Sequence, residues 1–66
     1  MVNITNLIAT APLRIVSGEG ENGSIEAYAG TRTERALKMR LTRERCDGQR
    51  WARAEAQHGD TWVRII

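Results

Sequence analysis

Residues Arg50 to Gln57 alternate strictly: Ala52, Ala54 and Ala56 fall on one side, Trp51, Arg53, Glu55 and Gln57 on the other. Side chains two apart in a strand share a face, so this is a strand with one face that, beyond Arg50, consists of methyl groups. A helix laid on such a face approaches the sheet closely. Thr61 to Ile66 alternates as well, with Val63 and Ile65 on one side. His58-Gly59 between them reads as a two-residue hairpin turn. In that register Gln57 faces Asp60, Ala56 faces Thr61, Ala54 faces Val63 and Ala52 faces Ile65. A three-residue loop would pair Ala56 with Trp62 and mix the two faces, so it is rejected.

The same register builds a second face, with Trp51 opposite Ile66, Arg53 opposite Arg64 and Glu55 opposite Trp62. Facing arginines repel modestly, and Glu55 is placed to neutralise them. Trp51, Trp62 and Ile66 are either covered by the N-terminal strands or a dimer partner, or they form an exposed Trp/Arg surface. The residue types are those that anchor interfaces.

Upstream, Val2 to Thr5 reads as an edge strand and Leu13 to Val16 as a second strand following Pro12. Ser17 to Gly23 is turn-rich, and Asn22-Gly23 suits a tight turn with positive φ. Ser24 to Ala29 alternates as a half-buried strand. Ile25, Ala27 and Ala29 lie on one side, Glu26 and Tyr28 on the other. Thr31 and Glu34 have capping-box spacing, and a helix is predicted from about Arg32 to Cys46. Thr33, Ala36, Leu37, Leu41 and the stem of Arg40 gather on one face. Arg35, Lys38, Thr42 and Arg45 gather on the opposite face. Met39 and Cys46 fall off the apolar stripe, and Gly48 suits the C-terminal turn. Cys46 reads as a small buried hydrophobe near a helix end, with intermolecular pairing as the other option; His58 reads as a turn residue.

The chain has 66 residues, which allows one domain. The expectation is a single α+β domain over residues 1–66: one helix on an antiparallel sheet of four or five strands, with a C-terminal β-hairpin. The single Cys forbids an internal disulfide framework, which a secreted domain this small usually needs. With no secretion signal and no apolar run of membrane-spanning length, a cytoplasmic protein without membrane contact is expected. One His and one Cys do not make a zinc site, and no metal or other cofactor is expected. Gly18, Gly20 and Gly23 stand beside Glu19 and Glu21, which would repel a phosphate. No nucleophile–base pair is visible, so no catalytic residue is assigned and a non-enzymatic protein is expected.

The net charge of +2 conceals an uneven distribution. Residues 1–30 hold Arg14 against Glu19, Glu21 and Glu26, net −2. Residues 31–54 hold Arg32, Arg35, Lys38, Arg40, Arg43, Arg45, Arg50 and Arg53 against Glu34, Glu44 and Asp47, net +5. The remaining residues are net −1. This local positive block suits phosphates or an acidic protein surface. The candidate partner-binding residues are Arg35, Lys38, Arg43, Arg45, Arg53, Arg64, Trp51 and Trp62.

A strand with Ile25-Glu26-Ala27 leads to a basic helix ending in Thr42-Arg43-Glu44-Arg45-Cys46. Gly48 follows, then a hairpin closing on Gly59 and Trp62-Val63. Over residues 24–63 this layout resembles small phage anti-CRISPR proteins, inhibitors of type I surveillance complexes. The resemblance implies a non-enzymatic protein in the host cytoplasm that binds a Cascade-type ribonucleoprotein and blocks target DNA binding. It places Lys38, Arg43 and Arg45 at matching helix positions, those that occupy the channel where target DNA pairs with guide RNA. The alternative is a direct nucleic-acid-binding module, with Tyr28, Trp51 and Trp62 stacking bases while the helix meets phosphates. A structural phage or ribosome-associated subunit is a third reading. Monomer and homodimer both remain open.

Overall fold

A computed structural model describes residues 3–66, in the order α1 (Ile4–Thr10), β1 (Leu13–Gly18), β2 (Ser24–Ala27), α2 (Glu34–Cys46), β3 (Trp51–His58) and β4 (Thr61–Arg64). The architecture is mixed α+β, with two helices rather than the one that the sequence pattern predicts. The four strands form one antiparallel sheet in the order β2-β1-β3-β4. β1 therefore lies between β2 and β3, and α2 carries the chain over it from one side to the other.

The expected first strand is helical instead. Val2 lies outside the described residues, while Ile4 and Thr5 open α1. Asn3 overrides their β-branched preference: its side chain accepts from the Asn6 N–H at 3.1 Å, satisfying a donor that the helix start leaves free. Pro12 ends the helix by forcing Ala11 into extended backbone. Arg32 then donates from Nη1 to the carbonyls of Ala11 (2.6 Å) and Ile8 (3.2 Å), which ties the approach to α2 onto the end of α1.

α2 starts two residues later than the capping-box spacing predicts. Thr33, not Thr31, is the N-cap, with Oγ1 accepting from the Ala36 N–H at 3.2 Å. The Thr31 carbonyl is occupied by the Tyr28 hydroxyl at 2.6 Å, which holds that residue in the connecting loop. Thr33→Ala is expected to cost about 1 kcal/mol. Thr31→Ala, which keeps the carbonyl, is expected to stay within about 0.5 kcal/mol. Thermal melts of the two variants separate the assignments.

The core lies between the helices and one face of the sheet. Leu7, Ile8 and Ala11 enter it with α1, and Leu37 and Leu41 with α2. Leu13 and Ile15 come from β1, Ala52, Ala54 and Ala56 from β3, and Tyr28 and Ile65 complete it. The alanine face is where it was expected, and α2 packs on β3 above it. β2 keeps the predicted division of its side chains, with the Tyr28 side turned to the core. Val16 faces Ile25 and Arg14 faces Ala27 on the outer side, leaving Ile25 62% exposed while Tyr28 is buried.

The β1–β2 connection is a five-residue loop without positive φ at Asn22 or Gly23, so the predicted tight turn is absent. These glycines serve close approach instead. A Cβ on Gly23 would stand 2.5 Å from Cη2 of Trp51 and 2.7 Å from the Ser17 carbonyl. The Trp51 indole donates to the Gly20 carbonyl at 2.6 Å.

β3 and β4 pair around Gly59-Asp60, not His58-Gly59. Gly59 alone has positive φ (63°), the pattern of a type II′ turn. The register is shifted by two, so both faces survive but the partners change: His58 faces Thr61, Gln57 faces Trp62, Ala56 faces Val63 and Glu55 faces Arg64. The shift replaces an Arg53–Arg64 repulsion with a Glu55–Arg64 attraction. Beyond Arg64 both Ile65 N–H (2.9 Å) and Ile66 carbonyl (3.3 Å) bond to Ala54, two residues against one. This bulge-like end turns Ile66 against the core and away from Trp51.

Candidate functional site

The candidate residues divide between two surfaces on opposite sides of the molecule. Arg35, Lys38, Arg43 and Arg45 lie on the solvent side of α2. Trp51, Arg53, Trp62 and Arg64 lie on the outer face of the sheet. Both helices contribute to the single core on the inner face, so the sheet separates the two groups. The N-terminal strands cover the Trp face in part: Arg14 of β1 lies on Trp62 and the β1–β2 loop on Trp51, while α1, which replaces the expected first strand, packs on the inner side.

On α2, Leu37 and Leu41 point inward and set the opposite side outward. At about 100° per residue, the crest consists of Arg35, Met39, Thr42 and Cys46. Met39 is 64% exposed, and Cys46 is an exposed free thiol rather than the buried hydrophobe predicted. Lys38 and Arg45 flank one side of this crest and Arg43 the other, because residues two apart diverge by about 200°. A shallow depression opens between Glu34, Arg35, Lys38, Met39, Thr42 and Arg43.

The cations of the positive block differ in what holds them. Arg40 bonds Glu44 through Nε and Glu26 through Nη2, each at 2.8 Å. The Glu44 hydrogen bond, reinforced by Glu26 against partial burial, raises its pKa further. Lys38 pairs with Glu34 at 3.1 Å on an exposed turn, a contact of little energetic weight. Arg32 serves the α1 carbonyls. Arg35, Arg43, Arg45 and Arg50 have no carboxylate partner within 4.0 Å among the described residues.

The outer sheet face is organised around Glu55. It stands opposite Arg14 on β1 and opposite Arg64 on β4, two residues along from Arg53. Its side chain is only 9% exposed. Oε1 accepts from Arg14 Nε at 2.8 Å and lies 2.7 Å from its Nη2, while Oε2 accepts from Arg53 Nε at 2.8 Å. Burial alone would raise the Glu55 pKa, but the hydrogen bonds and charges of Arg14 and Arg53 outweigh it and hold the carboxyl below its ordinary value. The guanidiniums also lie against the tryptophans, Arg14 at 4.1 Å from the Trp62 ring centre and Arg53 at 5.1 Å from that of Trp51. Both indoles are half-buried.

Arg14 is the member of this group that the sequence pattern does not single out. Its place depends on the β1–β3 pairing, between strands separated by α2. Among the described residues no three His, Cys, Asp or Glu side chains cluster as a metal site, and no helix is long and apolar enough to cross a membrane. No protein-family model matches the chain, and neither a curated protein nor a solved structure is found similar to it.

Proposed function

We propose that this is a non-enzymatic binding protein that meets an anionic macromolecular surface with the solvent side of α2. The observation carrying the reading is that Arg35, Arg43 and Arg45 remain uncompensated while the neighbouring Arg40 is fully engaged. Long exposed cations of this kind attract a charged partner from a distance and speed encounter. The partner proposed from the layout resemblance is a type I CRISPR surveillance complex, in which α2 lies in the channel where target DNA pairs with guide RNA.

Capture of such a complex from a bacterial lysate by the tagged full chain tests the partner. Arg43→Glu and Arg45→Glu, made separately because they flank opposite sides of the crest, test the surface. Each reversal is expected to weaken capture by about tenfold or more. Undiminished capture by both variants rejects the surface, and no capture rejects the partner. The second reading, direct binding of nucleic acid by the same cations, predicts a gel shift of bare DNA or RNA that weakens steeply with salt.

A further inference from the structure

Three arginines on adjoining strands of the outer face each donate Nε to an acceptor of the sheet's outer side or end. Arg14 and Arg53 each donate Nε to Glu55 at 2.8 Å, and Arg64 donates Nε to the Ile66 carbonyl at 3.2 Å. Beyond the Arg14 Nη2–Glu55 contact, the terminal Nη groups of all three have no hydrogen-bond partner among the described residues. Glu55 sits beneath the two arginines that it binds, so it orients them and is not itself offered to a ligand. The rings of Trp62 and Trp51 hold the planes of Arg14 and Arg53. The cations of α2's solvent side have no comparable tethers to the sheet. Fixing a guanidinium before binding removes the cost of ordering it afterwards, and its paired Nη groups match the two oxygens of a carboxylate.

The character of the face selects its occupant. Arg14, Arg53 and Arg64 against Glu55 give its strand residues +2, with Glu19 and Glu21 on the loop at the Trp51 end. A second copy would set the cations of these strands against their own kind and is disfavoured. Base stacking is disfavoured too. Trp62 and Trp51 already carry guanidiniums, and the benzo edge of Trp51 lies against Gly18 and Gly23. Exposed Ile25 and the half-exposed indoles supply apolar contact beside the charges. Tethered arginines flanked by tryptophan and isoleucine suit protein carboxylates set among apolar side chains.

We propose that the outer sheet face is a second interface, independent of α2, which docks an acidic segment of a partner protein. The carboxylates of that segment are received by the paired Nη groups of Arg53 and Arg64 and by the remaining Nη1 of Arg14, and its apolar side chains rest on exposed Ile25.

The test is an NMR titration of the isotope-labelled full chain with acetylated hexaglutamate, and in parallel with hexathymidylate and inorganic phosphate. Hexaglutamate is expected to move the Trp62 indole and the Arg53 and Arg64 Nε–H signals saturably. Arg64→Gln, which leaves the Glu55 pairs intact, is expected to weaken this binding several-fold, and Arg53→Gln by about tenfold. Arg43→Gln on α2 is expected to leave it unchanged. Shifts confined to α2, the absence of saturation, or equal response to phosphate overturn the proposal. So does tighter binding of hexathymidylate to the sheet face. None of these outcomes bears on capture through α2, so the two interfaces stand or fall separately.

Discussion

Leu37→Ala is expected to destabilise the chain by about 2–5 kcal/mol, enough to unfold a large fraction of it. Stability for 66 residues is on the order of 3–10 kcal/mol, so one core truncation can remove most of it. Leu37 is wholly buried, and the strand beneath α2 offers Ala54 and Ala56, also wholly buried. Methyl groups have no side-chain rotamers with which to fill a hole. The cavity left by leucine therefore persists unless α2 itself sinks toward the sheet. Urea unfolding followed by tryptophan fluorescence measures the loss. Met39→Ala, on the opposite side of the same helix, is expected to stay within about 0.5 kcal/mol. A loss below about 1 kcal/mol for Leu37→Ala would show that α2 does not rest on the alanine face as described.

The alanine face is also the part of the fold most legible in the sequence. Strict alternation reports which side chains share a face, and a shift of two residues preserves that information. Hence the predicted faces of β3 and β4 hold although every predicted pair between them changes. Register is a finer property, decided here by Gly59 at the positive-φ position and by the gain of placing Glu55 opposite Arg64. The start of α2 turns on a similar competition. Thr31 and Thr33 are both plausible caps, and the choice falls to Thr33 because the Tyr28 hydroxyl engages the Thr31 carbonyl. A sequence pattern does not report that long side chain's destination. α1 was hidden by two β-branched residues in its first turn, with Asn3 as the one local signal for a helix start.

The candidate surfaces follow the same division. The exposed side of α2 is read directly from helical period, whereas the separation of Arg43 from Arg45 by the crest becomes plain only when each angle is followed. The sheet face needs tertiary information. Trp51, Arg53, Trp62 and Arg64 are recognisable as an interface-like set, but the Arg14–Glu55 contact at its centre spans a sequence distance of 41 residues. No local pattern joins those two strands.

Glu55→Gln is the change expected to have the largest effect on that surface. The substitution keeps the shape but leaves one carbonyl oxygen where two carboxylate oxygens each received an arginine. Its amide hydrogens then point at Arg14 or Arg53, donor against donor. A cost of about 1–3 kcal/mol is expected near neutral pH. Its pH dependence identifies the cause. The Glu55 carboxyl is held below its ordinary value in the folded chain by Arg14 and Arg53, despite burial. Its contribution is therefore complete above the unfolded carboxyl pKa, about 4.3, and is lost as pH falls through the lower folded value. The wild-type chain should lose this stability on acidification, whereas the glutamine variant, with nothing to protonate there, should not. The gap between them is expected to be widest near neutrality and to narrow below about pH 4. Parallel urea-unfolding curves collected across that range measure it. A gap that stays constant with pH would mean that Glu55 contributes only by filling space, and that the arginines do not depend on its charge. If the gap closes as expected, the indole signals of Trp51 and Trp62 should also shift in the variant at neutral pH, because Arg14 and Arg53 lose the anchor that keeps them against the rings.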